Sequence, residues 1–267
     1  MPVQRRNDEQ VNLLKPDFQG RYESGFSWRT ACSMYQALTG LRAFWPMSAS
    51  GSTGAAIDQS GHARTASYNG NPTYNFDGLA PYIRFDGVGD YLSVADGAGI
   101  DITGTETIIA AGHRGITLGG WFRPEDTTNN QGLITKWSAA AGNYSYALRL
   151  RGDVANDPVR FIISDDGTNT SNVSSDAYSA NTWQFMAGRF NDADTGAELA
   201  VWLNGTMTTA ASARASIFSG NADLYIGSDM PGNVYTGRGS LVFLCAAALA
   251  DATVWAIYQH TRALFKV

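Results

Sequence analysis

The stretch from Thr117 to Trp137, TLGGWFRPEDTTNNQGLITKW, has two hydrophobic runs on either side of a polar, Asn-rich bend. Short apolar runs bounded by turn residues are typical of β-strands. Trp121 follows two glycines inside the first run, so we expect it to anchor a hydrophobic core. Trp137 ends the second run beside a polar loop, so we expect it to be half exposed. The stretch therefore predicts a hairpin with one tryptophan in the core and one open to a ligand.

The same pattern continues on both sides of this stretch. Several runs alternate apolar and polar residues, as in 146–150 and 198–203, and Asp-Gly or Asn-Gly pairs separate many of them. The runs are LRAFWPM, PYIRFDG, DYLSVAD, GITLGGWFRP, GLITKW, YSYALRLR, PVRFIIS, TWQFMAGRF, ELAVWLNG, DLYIGS and GSLVFLCAAAL. About eleven short strands without helices between them predict an all-β fold, a two-sheet antiparallel sandwich.

A helix is predicted before the first strand, in SWRTACSMYQALTG, with Ser27 as its N-cap and Gly40 as its stop. Trp28, Tyr35 and Leu38 follow helical spacing and form one apolar face. This face packs either on the sandwich or on a neighbouring subunit. Residues 1–40 are thus predicted to be an arm and helix for assembly, and residues 41–267 the sandwich.

A second helix is predicted after the last strand, in LADATVWAIYQHTRALF. It is capped near Asp251, and Val254, Ile257 and Tyr258 share one face. Residues 95–115 form a longer insertion between strands, and insertions of that length are often functional. We expect this insertion to contact neighbouring molecules.

Composition and charge exclude several partners. The 267 residues carry a net charge of −5, and the longest basic block is the Arg5-Arg6 pair, which argues against nucleic acid. The longest apolar run, residues 241–250, is too short and too rich in alanine for membrane insertion. The polar N-terminus lacks a signal-peptide core, so synthesis in the cytoplasm is expected. Cys32 and Cys245 lie in apolar surroundings and are expected to be buried small hydrophobes.

The motifs resemble a known family when they are taken in order. FDGVGDYLSV, ITLGGWFRP, LITKW, YALRL, WQFMAGRF, AVWLNG and LYIGS, preceded by AIDQSGH, are similar to the laminin-G-like, concanavalin A-like jelly roll over residues 41–262. The resemblance implies a jelly-roll sandwich. A jelly roll that follows a short arm also resembles proteins carried by tailed bacteriophages, which implies a virion component.

A calcium site is implied by the same resemblance. Lectins of this type hold Ca²⁺ with loop carboxylates, and Asp58, Asp86 and Asp90 lie in turns of the matching motifs. The alternative is ordinary turn chemistry, because aspartate is common in tight turns.

A carbohydrate site is predicted beside the second tryptophan of the opening stretch. Sugars are bound by aromatic faces together with amide and guanidinium groups, and Trp137, Asn143, Tyr144 and Arg149 supply these groups. The alternative is that Trp137 only covers the edge of the core.

Catalysis is not expected. Glycoside hydrolases need two carboxylates across the scissile bond, and relatives with this fold carry them as Glu-x-Asp-x-x-Glu. That spacing is absent from the five glutamates, which are Glu9, Glu23, Glu106, Glu125 and Glu198.

Three functions remain as hypotheses. The first is a non-enzymatic virion structural protein, in a capsid decoration or a tail, that contacts other virion proteins and forms a homo-oligomer, taken to be a trimer. The second is a lectin-like module that adheres to surface glycans, with or without Ca²⁺. The third is a glycoside hydrolase.

Overall fold

The computed structural model describes residues 27–48, 54–76, 80–97, 99–102, 115–138, 142–229 and 232–267. These residues fold into two antiparallel β-sheets that pack face to face, with a helix at each end of the described chain. The predicted all-β jelly-roll sandwich is confirmed. Residues 1–26, which include most of the predicted arm, lie outside the described residues.

Each sheet has eight strands within the described residues. The first sheet contains β1 (Leu41–Trp45), β4 (Thr73–Phe76), β5 (Pro81–Asp86), β7 (Gly115–Pro124), β12 (Gln184–Asn191), β13 (Leu199–Leu203), β14 (Thr206–Ala210) and β16 (Thr236–Cys245). The second sheet contains β2 (Ala55–Ala56), β3 (Ala66–Asn69), β6 (Tyr91–Val94), β8 (Asn130–Ser138), β9 (Asn143–Arg151), β10 (Pro158–Gly167), β11 (Thr170–Ala177) and β15 (Leu224–Ile226). The helices are α1 (Trp28–Gln36), α2 (Asp251–Thr261) and a 3₁₀ turn (Arg262–Phe265).

The first sheet runs β14-β13-β12-β7-β16-β5-β4, and β1 also pairs with β16. The second runs β11-β10-β9-β8-β15-β6-β3-β2. Strands that are distant in sequence therefore lie side by side, as a jelly roll requires. The late strand β16 joins the early strands β1 and β5 to the middle strand β7.

The opening stretch does not form the predicted hairpin. β7 pairs with β12 and β16, whereas β8 pairs with β9 and β15 in the other sheet. Asp126 shapes the connection, because its carboxylate accepts hydrogen bonds from the Thr128 backbone N–H at 2.8 Å and from the Asn129 amide at 2.7 Å. This polar turn carries the chain across the sandwich instead of reversing it within one sheet.

Two large apolar clusters hold the described residues together, and a small third cluster contains Trp137, Ala147 and Ile162. The larger lies between the sheets and contains mostly Ile, Leu, Val and Phe side chains. The second lies on the outer side of the first sheet, beneath the helices. Trp121 is buried, as predicted, but it belongs to this second cluster, together with the buried Trp183 and Trp202.

Both predicted helices are present. Ser27 is the N-cap of α1, since its hydroxyl accepts a hydrogen bond from the Thr30 backbone N–H at 3.2 Å. The chain turns into β1 at Gly40, whose φ of 68° favours glycine. In α2, Val254 and Ile257 are buried against the first sheet, as their spacing predicts.

The sequence pattern did not predict five of the described strands, namely β2, β3, β4, β11 and β14. Three of them, β4, β11 and β14, are edge strands, and β2 is a two-residue edge strand. Edge strands expose much of their surface, so their sequences, such as TSNVSSDA and TMTTA, lack a clear apolar alternation.

The two cysteines are free thiols. Cys245 is fully buried in β16, and Cys32 is half-buried in α1. Burial raises the pKa of the Cys32 thiol to about 11. Both side chains thus act as small hydrophobes, as predicted.

None of the helices in the described residues has the length and apolarity needed to cross a membrane.

Candidate ligand-binding face

The outer faces of the two sheets differ in what covers them. Over the first sheet lie α1, α2 and the 3₁₀ turn, and we call this side the helix-covered face. Over the second sheet no helix packs within the described ranges, and we call this side the open face. Side chains alternate between the two sides of a strand. Leu92, Leu148 and Phe161 point into the core, so the residues next to them in sequence line the open face.

One half of the open face is a tyrosine patch, which comprises Asn69, Tyr91, Ser93 and Tyr225. The Tyr91 and Tyr225 rings meet edge to face with centroids 5.8 Å apart. The Asn69 amide nitrogen donates to the Ser93 hydroxyl at 2.9 Å. All four side chains are partly exposed. The patch therefore combines aromatic surface with amide and hydroxyl groups.

Tyr225 keeps its proton over a wide pH range. Burial, followed by the negative charge of Asp223, raises the pKa of the Tyr225 phenol. A neutral phenol both donates and accepts a hydrogen bond. The group is therefore suited to hydroxyl-rich ligands at neutral pH.

The other half of the open face is an arginine patch, which comprises Trp137, Tyr144, Arg149, Arg151 and Arg160. Trp137 and Tyr144 stack with centroids 4.2 Å apart and planes within 10°. The Arg149 guanidinium lies 4.5 Å from the centre of the Trp137 ring. Two groups cannot share one side of a ring at these distances, so Tyr144 and Arg149 cover its opposite faces.

The loop at Ser228 and Asp229 lies directly on the open face between the two patches. A Cβ atom on Gly132 would fall 2.3 Å from the Ser228 carbonyl carbon, so only glycine permits this approach. The Thr135 hydroxyl donates to the Ser228 carbonyl at 2.8 Å. Asp229 is buried and forms an ion pair with Arg149 at 3.2 Å.

The four residues predicted to bind sugar lie in one region. Asn143 donates to Asn221 at 2.6 Å beside the Trp137–Tyr144–Arg149 stack. However, Trp137 is only 6% exposed, so the expectation of a half-exposed indole is wrong. Its ring supports Tyr144 and Arg149, and the half-buried Tyr144 offers the accessible aromatic surface.

A register shift places Tyr144 beside Trp137. In the β8–β9 pairing, Lys136 lies opposite Tyr146 and Trp137 lies opposite Tyr144, which leaves Ser145 without a partner. Such a bulge changes the direction of the neighbouring side chains. The sequence shows no signal for this bulge.

A buried lysine lies on the inner side of the second sheet, because it is opposite the core residues Tyr146 and Leu224. The Lys136 ammonium bonds to Asp96 at 2.6 Å and to the carbonyl oxygens of Gly220 and Ala222 at 2.7 and 2.6 Å. Asp101 lies 3.1 Å from the same ammonium. Part of the predicted 95–115 insertion is therefore tied to the sandwich, while residues 98 and 103–114 lie outside the described ranges.

Asp58, a predicted calcium ligand, has a structural role in its turn. Its carboxylate accepts hydrogen bonds from the backbone N–H groups of Phe44, Ser60 and Arg64 at 2.8–2.9 Å. These bonds join β1 to the Asp-Gln-Ser-Gly turn. The residue is a structural turn aspartate.

Asp86 and Asp90 are also used in a turn. Asp90 accepts from the Asn71 and Asp86 backbone N–H groups at 2.7 and 3.1 Å, and Asp86 accepts from Val88 at 2.7 Å. No group of three potential ligands that could hold a metal ion occurs among the described residues. Backbone donors occupy part of these carboxylates, and the calcium site predicted from Asp58, Asp86 and Asp90 stays a prediction.

The predicted assembly residues pack largely on their own chain. Tyr35 is fully buried and stacks on Phe44 with centroids 4.8 Å apart, and Leu38 is 9% exposed. Only Trp28 of the three is half-buried at the edge of this cluster. Tyr35 and Leu38 thus anchor α1 to the sandwich and are not accessible to a neighbouring subunit.

The two described glutamates are not suited to acid catalysis. Burial tends to raise the pKa of Glu125, but hydrogen bonds and charges from Arg84 and Arg238 hold it below its usual value. Backbone hydrogen bonds from Gly196 and Ser212 lower the pKa of Glu198. A general acid needs a raised pKa, so neither carboxyl fits that role.

The sequence analysis did not identify the tyrosine patch, nor did it identify Arg151 and Arg160. Tyr91 alternates with the buried Leu92 and Val94, so its outward direction is readable from DYLSVAD. The pairing of β6 with β15, which brings Tyr225 beside it, joins segments far apart in the chain. Sequence periodicity does not carry that information.

A two-sheet jelly roll with one helix-covered and one open face defines a lectin-like domain. The chain belongs to the concanavalin A-like lectin/glucanases superfamily, whose family model Laminin_G_3 matches residues 86–254. This confirms the family resemblance of the ordered motifs. No curated protein matches the sequence significantly.

Solved structures with the same fold include sugar-bound binding domains. The receptor binding domain of botulinum neurotoxin C/D mosaic serotype superposes with a TM-score of 0.61 at 13% identity, over 82% of this chain and 51% of that domain. The botulinum neurotoxin serotype D ligand binding domain, in complex with N-acetylneuraminic acid, gives 0.59 at 13% identity, over 86% of this chain and 52% of that domain. This chain spans about half the length of these toxin domains.

A third structure matches over almost its whole length. It is domain 4 of AbnA, a GH43 extracellular arabinanase from Geobacillus stearothermophilus, in complex with arabinotriose. The TM-score is 0.56 at 15% identity, over 82% of this chain and 98% of that domain. At these identities the likeness establishes the shared fold.

Proposed function

We propose that this protein is a non-catalytic glycan-binding module that holds a saccharide chain on the open face. The observation that carries the proposal is the contrast between the two outer faces. Helices seal one of them, while the other presents Tyr91 and Tyr225 together with Asn69 and Ser93. Sugars bind to aromatic surfaces flanked by hydrogen-bonding groups, and the tyrosine patch supplies both.

The fold neighbours support the proposal without deciding the ligand. Two of them were solved with a saccharide bound, one with N-acetylneuraminic acid and one with arabinotriose. The first is a ligand binding domain, and the second is a domain of an arabinanase.

The test is a panel of immobilised glycans probed with the wild type and the Tyr225→Ala variant. Loss of one aromatic contact should weaken binding about tenfold, since such contacts contribute on the order of 1 kcal/mol. Tyr74→Ala is the matched control, because Tyr74 is a tyrosine 40% exposed on β4 of the other sheet. Binding that falls equally in both variants, or an absence of binding to every glycan, would refute the proposal.

A second candidate function is display of this module on a virion. Residues 1–26 join the sandwich through α1, which lies on the helix-covered face. Attachment through these residues would leave the open face, on the opposite side, directed away from the attachment point. In this proposal the preceding segment binds other virion proteins or trimerises the chain.

The solution mass of the full chain, compared with a version that begins at Ser27, tests the oligomer. A trimer that becomes a monomer on truncation supports assembly through residues 1–26. A trimer that persists without these residues contradicts it.

A further inference from the structure

The open face carries arginines that repel one another. Arg149 and Arg160 are directly opposite each other in the β9–β10 pairing, and Arg151 follows Arg149 on the same face. Like charges opposite each other destabilise a sheet. Burial lowers the pKa of the Arg160 guanidinium, and the positive charge of Arg151 adds to this effect. The arrangement thus has an energetic cost that the fold must offset.

Two of the three arginines have internal carboxylate partners. Arg151 forms a two-point ion pair with Asp153 at 2.7 and 3.0 Å, and Arg149 contacts Asp229 at 3.2 Å. Arg160 donates from Nε to the Ser174 hydroxyl at 3.0 Å, and within the described residues it has no ion pair. Its two terminal nitrogens therefore remain for an external acceptor.

A second row of arginines in the same molecule shows how a carboxylate can neutralise neighbouring arginines. Arg84, Arg238 and Arg123 are cross-strand neighbours in the first sheet. All three converge on the Glu125 carboxylate, at 3.0, 3.3 and 3.7 Å. There the chain itself supplies the anion that holds the arginines together. Arg160 forms no ion pair within the described residues, and the Asp153 carboxylate, which raises its pKa, acts from beyond ion-pair distance.

The position of Arg160 links it to the aromatic surface. Arg149, its cross-strand neighbour, stacks on Trp137, and Trp137 stacks on Tyr144. A sugar ring against Tyr144 would therefore lie on the same face as the free guanidinium. A planar guanidinium binds carboxylate and sulfate groups through paired hydrogen bonds.

We propose that the arginine patch selects acidic polysaccharides, with Arg160 binding a carboxylate or sulfate group of the sugar chain. This inference rests on the proposed glycan-binding function and adds the charge of the ligand. The tyrosine patch would contact uncharged parts of the same chain.

The experiment compares matched polysaccharides that differ in charge. Polygalacturonate is titrated against its methyl-esterified form, and dextran sulfate against dextran, using wild type, Arg160→Gln and Arg84→Gln. Arg84 is the matched control, because it is an arginine 48% exposed in its side chain whose anion is the internal Glu125. Melting temperatures of the variants verify that each protein is folded.

We expect at least one acidic polymer to bind more tightly than its neutral counterpart. Arg160→Gln should weaken that binding about tenfold, in line with a charge-assisted hydrogen bond, and Arg84→Gln should leave it unchanged. Arg160→Lys should give an intermediate loss, since lysine keeps the charge but not the planar fork. The polymer that shows the difference identifies carboxylate or sulfate as the group bound.

Other outcomes separate the two proposals. Equal binding of acidic and neutral forms, with loss in Tyr225→Ala, overturns the selection for acidic sugars but keeps glycan binding. Equal loss in Arg160→Gln and Arg84→Gln, or equally tight binding of single-stranded DNA, shows general attraction of polyanions and overturns the inference. Absence of binding to all four polymers and to the glycan panel overturns both.

Discussion

The helix-covered face and the open face are both rich in aromatic side chains, but they use them differently. Beneath the helices, Trp121 is fully buried and stacks on Phe265 with centroids 4.4 Å apart. On the open face, Tyr91 and Tyr225 stay partly exposed. Two sheets of similar size thus divide their tasks, since one outer face contributes stability and the other is left for a partner.

The same division applies to arginine. The row on the first sheet is centred on Glu125, while Arg160 on the second sheet has no carboxylate partner in the described residues. The two sets of arginines therefore show that residue type alone does not indicate a binding site. Whether the fold already satisfies the residue is the more informative property.

The largest expected effect comes from Trp121→Ala. This change removes a buried ring and the 2.8 Å hydrogen bond from its Nε1 to the Thr261 hydroxyl, so it should cost about 3–5 kcal/mol of unfolding free energy. Urea denaturation measures the loss. Glycan affinity of the folded fraction should stay unchanged; a loss of affinity larger than that of Tyr225→Ala would break the division between the faces.

The next effect is expected for Lys136→Met. This variant leaves Asp96 and Asp101 without their cation on the inner side of the second sheet, and the loss of one partner from a buried ion pair costs about 3 kcal/mol. Denaturation gives the stability, and hydrogen exchange at residues 220–222 reports whether that segment loosens. Stability within about 0.5 kcal/mol of wild type would show that the cluster contributes little.

The smallest effect is expected for Glu125→Gln, and it depends on pH. The pKa of Glu125 is lowered in the folded state, so its stabilisation is present above the unfolded pKa of about 4.3 and is lost as pH falls through the folded pKa. Because the group is partly exposed, the contribution should be about 1 kcal/mol or less.

The variant should therefore be less stable than wild type at pH 7 and equal to it at about pH 2. Denaturation at several pH values measures the difference. A difference that is constant over this range would mean that the charge of Glu125 does not stabilise the arginine row of the first sheet.

The elements were largely readable from sequence. Strong alternation in residues 146–150 and 198–203 identified β9 and β13, and helical spacing identified α1 and α2. Ser27 was correctly predicted as an N-cap because capping is a local interaction. Local signals were sufficient wherever a single segment determines its own structure.

Features that depend on which strands pair could not be predicted from the sequence. The polar turn after β7 resembles a hairpin turn, yet it leads into the opposite sheet. The predicted aspartates carry the right ligand chemistry, but backbone N–H groups satisfy them in the fold. The tyrosine patch and Arg160 required knowledge of which distant strands are adjacent.

The central position of β16 has a consequence for synthesis of the protein. Strands β1 and β5 from the early part of the chain meet β7 from its middle only through β16, residues 236–245. A ribosome delivers β16 more than a hundred residues after the end of β7, at about residue 124. The first sheet therefore cannot close when β5 and β7 are synthesised, and the incomplete chain exposes the unpaired edges of both strands until β16 emerges.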